Sequence, residues 1–257
     1  IAGRSDYLVA QILASQCCYA QKKFDEVLIL NQHFMPHFDM DQKKTGKFFI
    51  IMAWIGKKDI ARSIENYQDF KKLYPKDKVA EGAPAAIVQL YLDLKKDEEA
   101  LKWCDEYLTD FPDKGAYEEQ ILFYKANILT SLGKLEEAEK ATKEFIKKYP
   151  DSDLATQAIF LTAETAYKKK DYDAAIRSFR EYIEKTKKGS ERVPYAAYYI
   201  ALICQETKKY DDAIKEFTAW AKNYPDHKLL HSILFLLAQT YESKKDLASA
   251  NVNYDRI

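Results

Sequence analysis

The sequence predicts an all-α fold, a solenoid of about seven helix-turn-helix repeats, with residues 1–257 forming a single repeat domain. The first observation behind this is a phrase that returns seven times: a short turn rich in lysine, then a small residue that opens an amphipathic run. The turns are Lys22-Lys23-Phe24-Asp25, Lys57-Lys58-Asp59, Lys95-Lys96-Asp97, Gly133-Lys134-Leu135, Lys169-Lys170-Asp171-Tyr172, Lys208-Lys209-Tyr210-Asp211 and Lys244-Lys245-Asp246. The small or β-branched residues after them are Val27, Ser63, Ala100, Ala138, Ala175, Ala213 and Ala250, at steps of 36, 37, 38, 37, 38 and 37. A fixed period of that length marks a repeat array in which each unit buries its apolar face only against its neighbours. The second observation is punctuation. Pro75, Pro112, Pro150 and Pro225 each follow their small residue by 12 positions, and proline ends a helix because it lacks the donor and disfavours helix at the preceding residue. The third is composition: 47% apolar and 31% charged with only 7 Gly and 7 Pro, which suits helices joined by short turns.

Taken in order, the repeats span approximately 7–43, 44–80, 81–116, 117–152, 153–192, 193–227 and a truncated 228–257. In the first, Met35-Pro36 comes early and the polar stretch to Lys44 predicts a long irregular loop, so this repeat reads as a cap. The fourth displays the unit most clearly. Tyr117 to Leu132 carry apolar residues at helical spacing and form helix A. Gly133 is suited to the left-handed conformation that ends it. Leu135 to Tyr149 form helix B with Leu135, Ala138, Ala141 and Phe145 on one stripe, Pro150 stops it, and Asp151-Ser152-Asp153 offer caps for the next helix. In the fifth repeat the proline stop gives way to Lys187-Lys188-Gly189-Ser190, with Gly189 as C-cap.

Charge and motif content exclude several function classes. Forty basic against forty acidic residues give zero formal charge, so the field that draws nucleic acid or an anionic membrane is missing. No run of apolar residues is long enough to span a bilayer. Cys17, Cys18, Cys104 and Cys204 form neither a disulfide framework nor a metal pair, and read as buried small apolar residues. His227 and His231 are four apart but lack a third ligand, and read as exposed residues at a helix start; Pro36 separates His33 from His37. No glycine-rich phosphate loop, nucleophile elbow or zinc-protease motif occurs. No catalytic residue, metal or cofactor is expected.

These residues resemble the tetratricopeptide repeat: a small residue late in helix A, an alanine early in helix B, an aromatic four later and a proline after helix B. The helix-A residues are Ser15, Ile51, Val88, Ala126, Ala163, Ala201 and Ala238, and the aromatics include Tyr67, Phe179, Phe217 and Tyr254, whereas Cys104 and Thr142 depart from the pattern. The resemblance implies a right-handed superhelix whose concave wall is built by helix A. Its fifth positions would be Ile12, Phe48, Ala85, Phe123, Phe160, Tyr198 and Phe235, and its ninth positions Gln16, Met52, Gln89, Asn127, Glu164, Leu202 and Gln239. An aromatic row beside a mostly polar row suits an extended peptide or a helix, and Phe123, Asn127, Phe160, Glu164, Tyr198, Phe235 and Gln239 are the expected partner-binding residues. The lysines that clamp a C-terminal carboxylate in chaperone-binding members are missing from the fifth position. The phrase from Phe145 to Ser152, with Tyr172-Asp173-Ala174-Ala175-Ile176 after it, is similar to repeats of bacterial envelope proteins of the BamD and Tol-Pal-associated type. That likeness implies a non-catalytic scaffold binding a protein segment in a periplasmic or envelope-associated assembly, a cytoplasmic place being the other option. The alternative is the helical region of a larger enzyme whose catalytic domain lies outside these residues, as in doughnut-like lytic transglycosylases. Self-association through the uncapped last hairpin, which contains Tyr254, is a third expectation.

Overall fold

The lysines of the recurring turn owe their place to backbone geometry. In the computed structural model, which describes residues 2–112, 115–186 and 190–257, Lys22, Lys58, Lys95, Lys170, Lys208 and Lys245 have φ between +56° and +63°, and Gly133 has φ +73°. Each of these residues lies just past the end of a helix A. The Lys170 N–H donates to the Tyr167 carbonyl at 2.9 Å and the Asp171 N–H to the Ala166 carbonyl at 2.9 Å, and the same pair of bonds closes the turns at Lys58 and Lys208. Such bonds satisfy carbonyls that the helix end leaves open. Lysine tolerates the left-handed conformation at a cost of roughly 1 kcal/mol and sets its charge against the negative end of the helix dipole.

Helix B then opens in one of two ways. The Asp59, Asp171 and Asp246 carboxylates accept from the N–H of Arg62, Ala174 and Ser249 at 3.0 to 3.1 Å, satisfying donors at the helix start. Where lysine holds the cap position, at Lys23, Lys96, Lys134 and Lys209, the first turn carries Asp or Glu instead, which complements the positive end of the dipole.

Fourteen α-helices result among the described residues, in two compact units. Residues 1–132 hold α1 (Ala2–Ala20), α2 (Phe24–Phe34), α3 (Met40–Gly56), α4 (Ile60–Leu73), α5 (Gly82–Asp93), α6 (Asp97–Asp110) and α7 (Glu118–Ser131), with 3₁₀ turns at Met35–His37 and Lys78–Ala80. Residues 133–257 hold α8 (Leu135–Lys148), α9 (Asp153–Lys168), α10 (Tyr172–Lys185), α11 (Val193–Glu206), α12 (Tyr210–Asn223), α13 (Leu230–Ser243) and α14 (Leu247–Tyr254). Within each unit successive helices pack on one another, and in the first α3 also packs on α1 and α5.

The core lies where the two small residues of a hairpin meet. None of the seven residues from Val27 to Ala250 that open helix B is more than 1% exposed. Ala163 of α9 and Ala175 of α10 share a cluster with Phe179 and Tyr182, and Ala201 of α11 and Ala213 of α12 share one with Phe217 and Trp220. Cys104 and Thr142, which depart from the aromatic pattern, fill the same slot: both are buried, and the Thr142 hydroxyl donates to the Ala138 carbonyl at 2.7 Å.

Three expectations need correction or limits. The stretch to Lys44 is not an irregular loop, because α3 already begins at Met40. Asp39 accepts from the Gln42 N–H at 2.9 Å and Gln42 returns a bond to the Asp39 N–H at 3.1 Å, a reciprocal cap that starts the helix early. Cys17 is exposed and Cys18 only half-buried on α1, whereas Cys104 and Cys204 are buried as expected. The C-cap assigned to Gly189 lies outside the described residues. No described helix is long and apolar enough to cross a membrane.

The left-handed turns predict opposite effects for opposite substitutions. Lys208→Gly is expected to raise stability by about 0.5 kcal/mol and Gly133→Lys to lower it by about 1 kcal/mol, read from urea midpoints. A Cβ on Gly133 would meet nothing within 4 Å, so the second loss would be backbone strain alone.

Candidate functional site

On the first unit, α3, α5 and the start of α7 enclose a groove of about 450 Å³. Missing bulk creates it. Gly56 ends α3, Gly82 opens α5, and Ala85 and Ala86 follow; at the helix-A position where α3 has Phe48 and α7 has Phe123, α5 presents only the Ala85 methyl. Met52 and Tyr117 form the walls.

The Tyr117 wall is held by a buried polar knot. The Tyr107 hydroxyl donates to Glu81 Oε1 at 2.7 Å and accepts from the Tyr117 N–H at 2.9 Å, while the Ala116 N–H also donates to Glu81 Oε1. A Cβ on Gly115 would press on Glu81 Oε1 and the Tyr107 hydroxyl, so a larger residue there would have to displace the knot. Burial, with the Glu81 carboxylate second, pushes the Tyr107 phenol above its ordinary pKa. It therefore stays a neutral donor.

A polar ladder runs along the groove edge. Gln120 Nε2 donates to the Tyr124 hydroxyl at 2.7 Å, that hydroxyl to Gln89 Oε1 at 2.7 Å, and Gln89 Nε2 to Asp93 Oδ1 at 2.8 Å. Each amide is oriented by its neighbour yet keeps a free N–H, the complement of a peptide carbonyl. Lys58 also lines the groove.

The expected partner-binding residues fall into different environments. Phe123 and Phe160 are only 7% and 5% exposed, and the Phe160 ring packs edge-on against Phe179 and Tyr182 with centroids 5.5 and 5.0 Å away. Asn127, one turn beyond Phe123 on α7, is exposed. Glu164, one turn beyond Phe160 on α9, is partly buried, and burial raises its pKa above the usual carboxylate value while Lys168 and Arg192 pull it down. Tyr198 and Gln239 are partly exposed, and Phe235 is 46% exposed with Tyr254 5.9 Å away. Phe123 and Asn127 belong to the first unit and the other five to the second. Counting positions had reached Met52, Ala85 and Gln89 of the groove but not Gly82, Tyr117, Gln120 or Tyr124. The signal was the alanine in a row of seven of which five are aromatic.

His227 is not at a helix start, since α13 begins at Leu230. Its ring packs edge-on against Tyr195 and Trp220, and its Nδ1 accepts from the Leu229 N–H at 3.2 Å. Among the described residues no three His, Cys, Asp or Glu side chains gather as a metal set. Burial pushes the Cys104 thiol up to about 12, so it stays protonated and unreactive.

Residues 110–228 match the family model of the tetratricopeptide repeat-like domain. None of the curated proteins compared matches the chain in sequence. Among solved structures, the chain is similar to a signal transduction ATPase with a tetratricopeptide repeat sensor from Pyrococcus horikoshii, at 18% identity and a TM-score of 0.69 over 98% of this chain and 41% of that one. A tetratricopeptide repeat protein from Parabacteroides merdae is similar at 12% identity and a TM-score of 0.60, over 97% of this chain and 91% of that one. YrrB, a tetratricopeptide repeat protein with an unusual peptide-binding site, is similar at 14% identity and a TM-score of 0.53, over 74% and 89%. At these identities the likeness is one of fold.

Two substitutions test the physics of these faces. Tyr107→Phe leaves Glu81 and the Tyr117 N–H short of a partner and is expected to lower stability by about 1–3 kcal/mol, with the fluorescence of a tryptophan placed at 117 reporting a loosened wall. For Glu164 the folded-state pKa stands above the unfolded one, so the folded chain binds more protons and stability rises as pH falls through the raised value. Glu164→Gln is expected to raise the urea midpoint at pH 7, with the gain fading on acidification.

Proposed function

We propose that this chain, with its tetratricopeptide repeat-like fold, is a non-catalytic scaffold that binds an extended protein segment on its helix-A faces. The observation that carries the reading is the groove between α3, α5 and α7, where Gly82, Ala85 and Ala86 leave about 450 Å³ beside an oriented ladder of amides. A bulky apolar side chain of the segment would enter the hollow, and its backbone carbonyl would accept from Gln89 or Gln120. On the second unit the exposed Phe235 and partly exposed Tyr198, with Gln239, would offer apolar contact and amide bonds of the same kind, backed by the buried ring of Phe160 and by Glu164. On the first, Asn127 would extend the polar contacts over the buried Phe123. Rigid aromatics and pre-bonded amides lose little freedom on binding, which favours affinity per contact. Peptide binding in YrrB, a protein of like fold, supports the reading. The setting proposed is a bacterial envelope assembly, on the likeness of residues 145–152 to envelope repeat proteins; fractionation of tagged full-length protein tests that part separately.

The binding test uses a displayed library of extended peptides selected on the whole chain. Ala85→Trp fills the hollow with a side chain, and peptides selected on the parent are expected to lose at least about tenfold in affinity, which is about 1.4 kcal/mol, while circular dichroism stays unchanged. Phe235→Glu is expected to weaken only peptides that reach the second unit. Full retention of every selected peptide by both variants would place binding elsewhere.

A further inference from the structure

Charge in the second unit is sorted by helix. The ion pairs that join one repeat to the next lie on turns and helices B: Lys169 bonds Glu139 of α8 at 2.7 Å, Arg180 of α10 reaches Glu216 of α12 at 3.5 Å, and Lys244 pairs with Asp211 of α12. Helices α8 and α10 carry as many basic as acidic residues. The helices A do not. Along α9, α11 and α13 stand Asp153, Glu164, Glu206 and Glu242 against one lysine, Lys168, and no arginine. Glu191 and Arg192, which precede α11, cancel each other.

One of these carboxylates is held in an aromatic setting. Glu206 is exposed at the last position of α11. It accepts from the Tyr167 hydroxyl at 2.7 Å and from the Tyr172 hydroxyl, and among the described residues no lysine or arginine pairs with it. Burial, and after it the charge of Glu206, hold the phenol of the partly exposed Tyr198 above its ordinary pKa. The rings beside Glu206 are themselves supported, since Tyr199 lies 5.2 Å from Tyr167 and 5.5 Å from Tyr198 between centroids and stacks on the buried Phe179 at 5.0 Å.

We propose that the segment taken by the helix-A face of the second unit carries arginine, and that one guanidinium docks on Glu206 beside the ring of Tyr198. This rests on the scaffold reading of the helix-A faces and adds the chemistry of what they take. An ionised carboxylate only accepts, with about four lone-pair sites, and the two phenols occupy two of them. A guanidinium matches the remainder: its forked N–H groups bond a carboxylate edge while its plane lies against a ring. Lysine brings the charge without the fork or the plane. Because two phenols already orient Glu206, docking immobilises mainly the incoming side chain. The unneutralised acids along the same helices draw a basic segment toward the face, an attraction that salt weakens.

The test titrates the blocked tripeptide Ala-Arg-Ala into the isotope-labelled chain at low salt and follows backbone and side-chain resonances. Comparison probes are Ala-Lys-Ala and the analogue with citrulline, which keeps the shape of arginine without its charge. Saturable shifts are expected at Tyr167, Tyr198 and Glu206, with the lysine probe weaker by about threefold and the citrulline probe by about tenfold. Glu206→Gln leaves the phenols an acceptor, removes the charge at an exposed position, and is expected to cost about tenfold. Tyr198→Leu keeps bulk without a ring and is expected to cost about threefold. Glu184→Gln removes the same charge from an exposed position on α10 and is expected to change nothing. Shifts centred elsewhere, equal affinity for the citrulline probe, unchanged binding by Glu206→Gln, or an equal loss with Glu184→Gln would each overturn the proposal. Library peptides that yield to Phe235→Glu but ignore Glu206→Gln would overturn it and leave the scaffold reading standing, whereas a docked Ala-Arg-Ala with no library peptide bound would fail the scaffold reading alone.

Discussion

The close crossing of two alanines in the hairpins of the second unit, Ala163 with Ala175 and Ala201 with Ala213, is the constraint from which the packing around it follows. Helices approach only as near as their largest facing side chains allow, so Ala163 against α10 and Ala175 against α9 permit a separation that a leucine at either place would forbid. Once the crossing is tight, the aromatics one turn away, Phe179 and Tyr182, become wedges that fix the angle. Thr142 and Cys104 show how far the rule bends. Both are smaller than a ring, both are buried, and the threonine meets its polar obligation within its own helix.

Much of this was legible because period and punctuation are local properties. The turn sites, the small-residue rows and the proline stops follow from the order of residues alone, and α7 and α8 begin and end within a residue of where periodicity puts them. The start of α3 was not legible, because Asp39 and Gln42 act as a pair across a stretch whose composition looks like a loop. His227 was misplaced for a related reason: what fixes it is a bed of Tyr195 and Trp220, which are 32 and 7 positions away in the chain. The groove was half legible. Counting reached Ala85, yet its meaning depends on what surrounds it, since one alanine is a filled slot in a hairpin core and an open one where three A helices meet.

Burial divides the helix-A rows by role more sharply than chemistry does. Phe160 and Phe123 have the residue type of a binding hot spot but the exposure of a core residue, so their removal would perturb packing before it touched any ligand. Phe235 has the same chemistry with nearly half its surface open. The polar row is more uniform: Gln89, Asn127 and Gln239 all reach solvent, and the chain of bonds through Tyr124 shows how such side chains can be held in place without being buried. Orientation without desolvation is what a reusable binding edge needs, because amides that remain hydrated pay little when no ligand is present.

Departures from the repeat, rather than the repeat itself, supply the open spaces. Ala85 stands on helix A where α3 and α7 carry a ring, and a hollow of several hundred cubic ångströms lies beside it. A globular core would collapse or lose cooperativity around such gaps, since every core residue there touches most of the others. A repeat array is different. Each hairpin is stabilised by its own crossing and by its immediate neighbours, so the loss of one ring stays confined to one junction while the remaining junctions keep their energy. The same locality that makes the period readable therefore makes exceptions to it affordable, and a side chain missing from one period is the most economical way for such a chain to acquire a pocket.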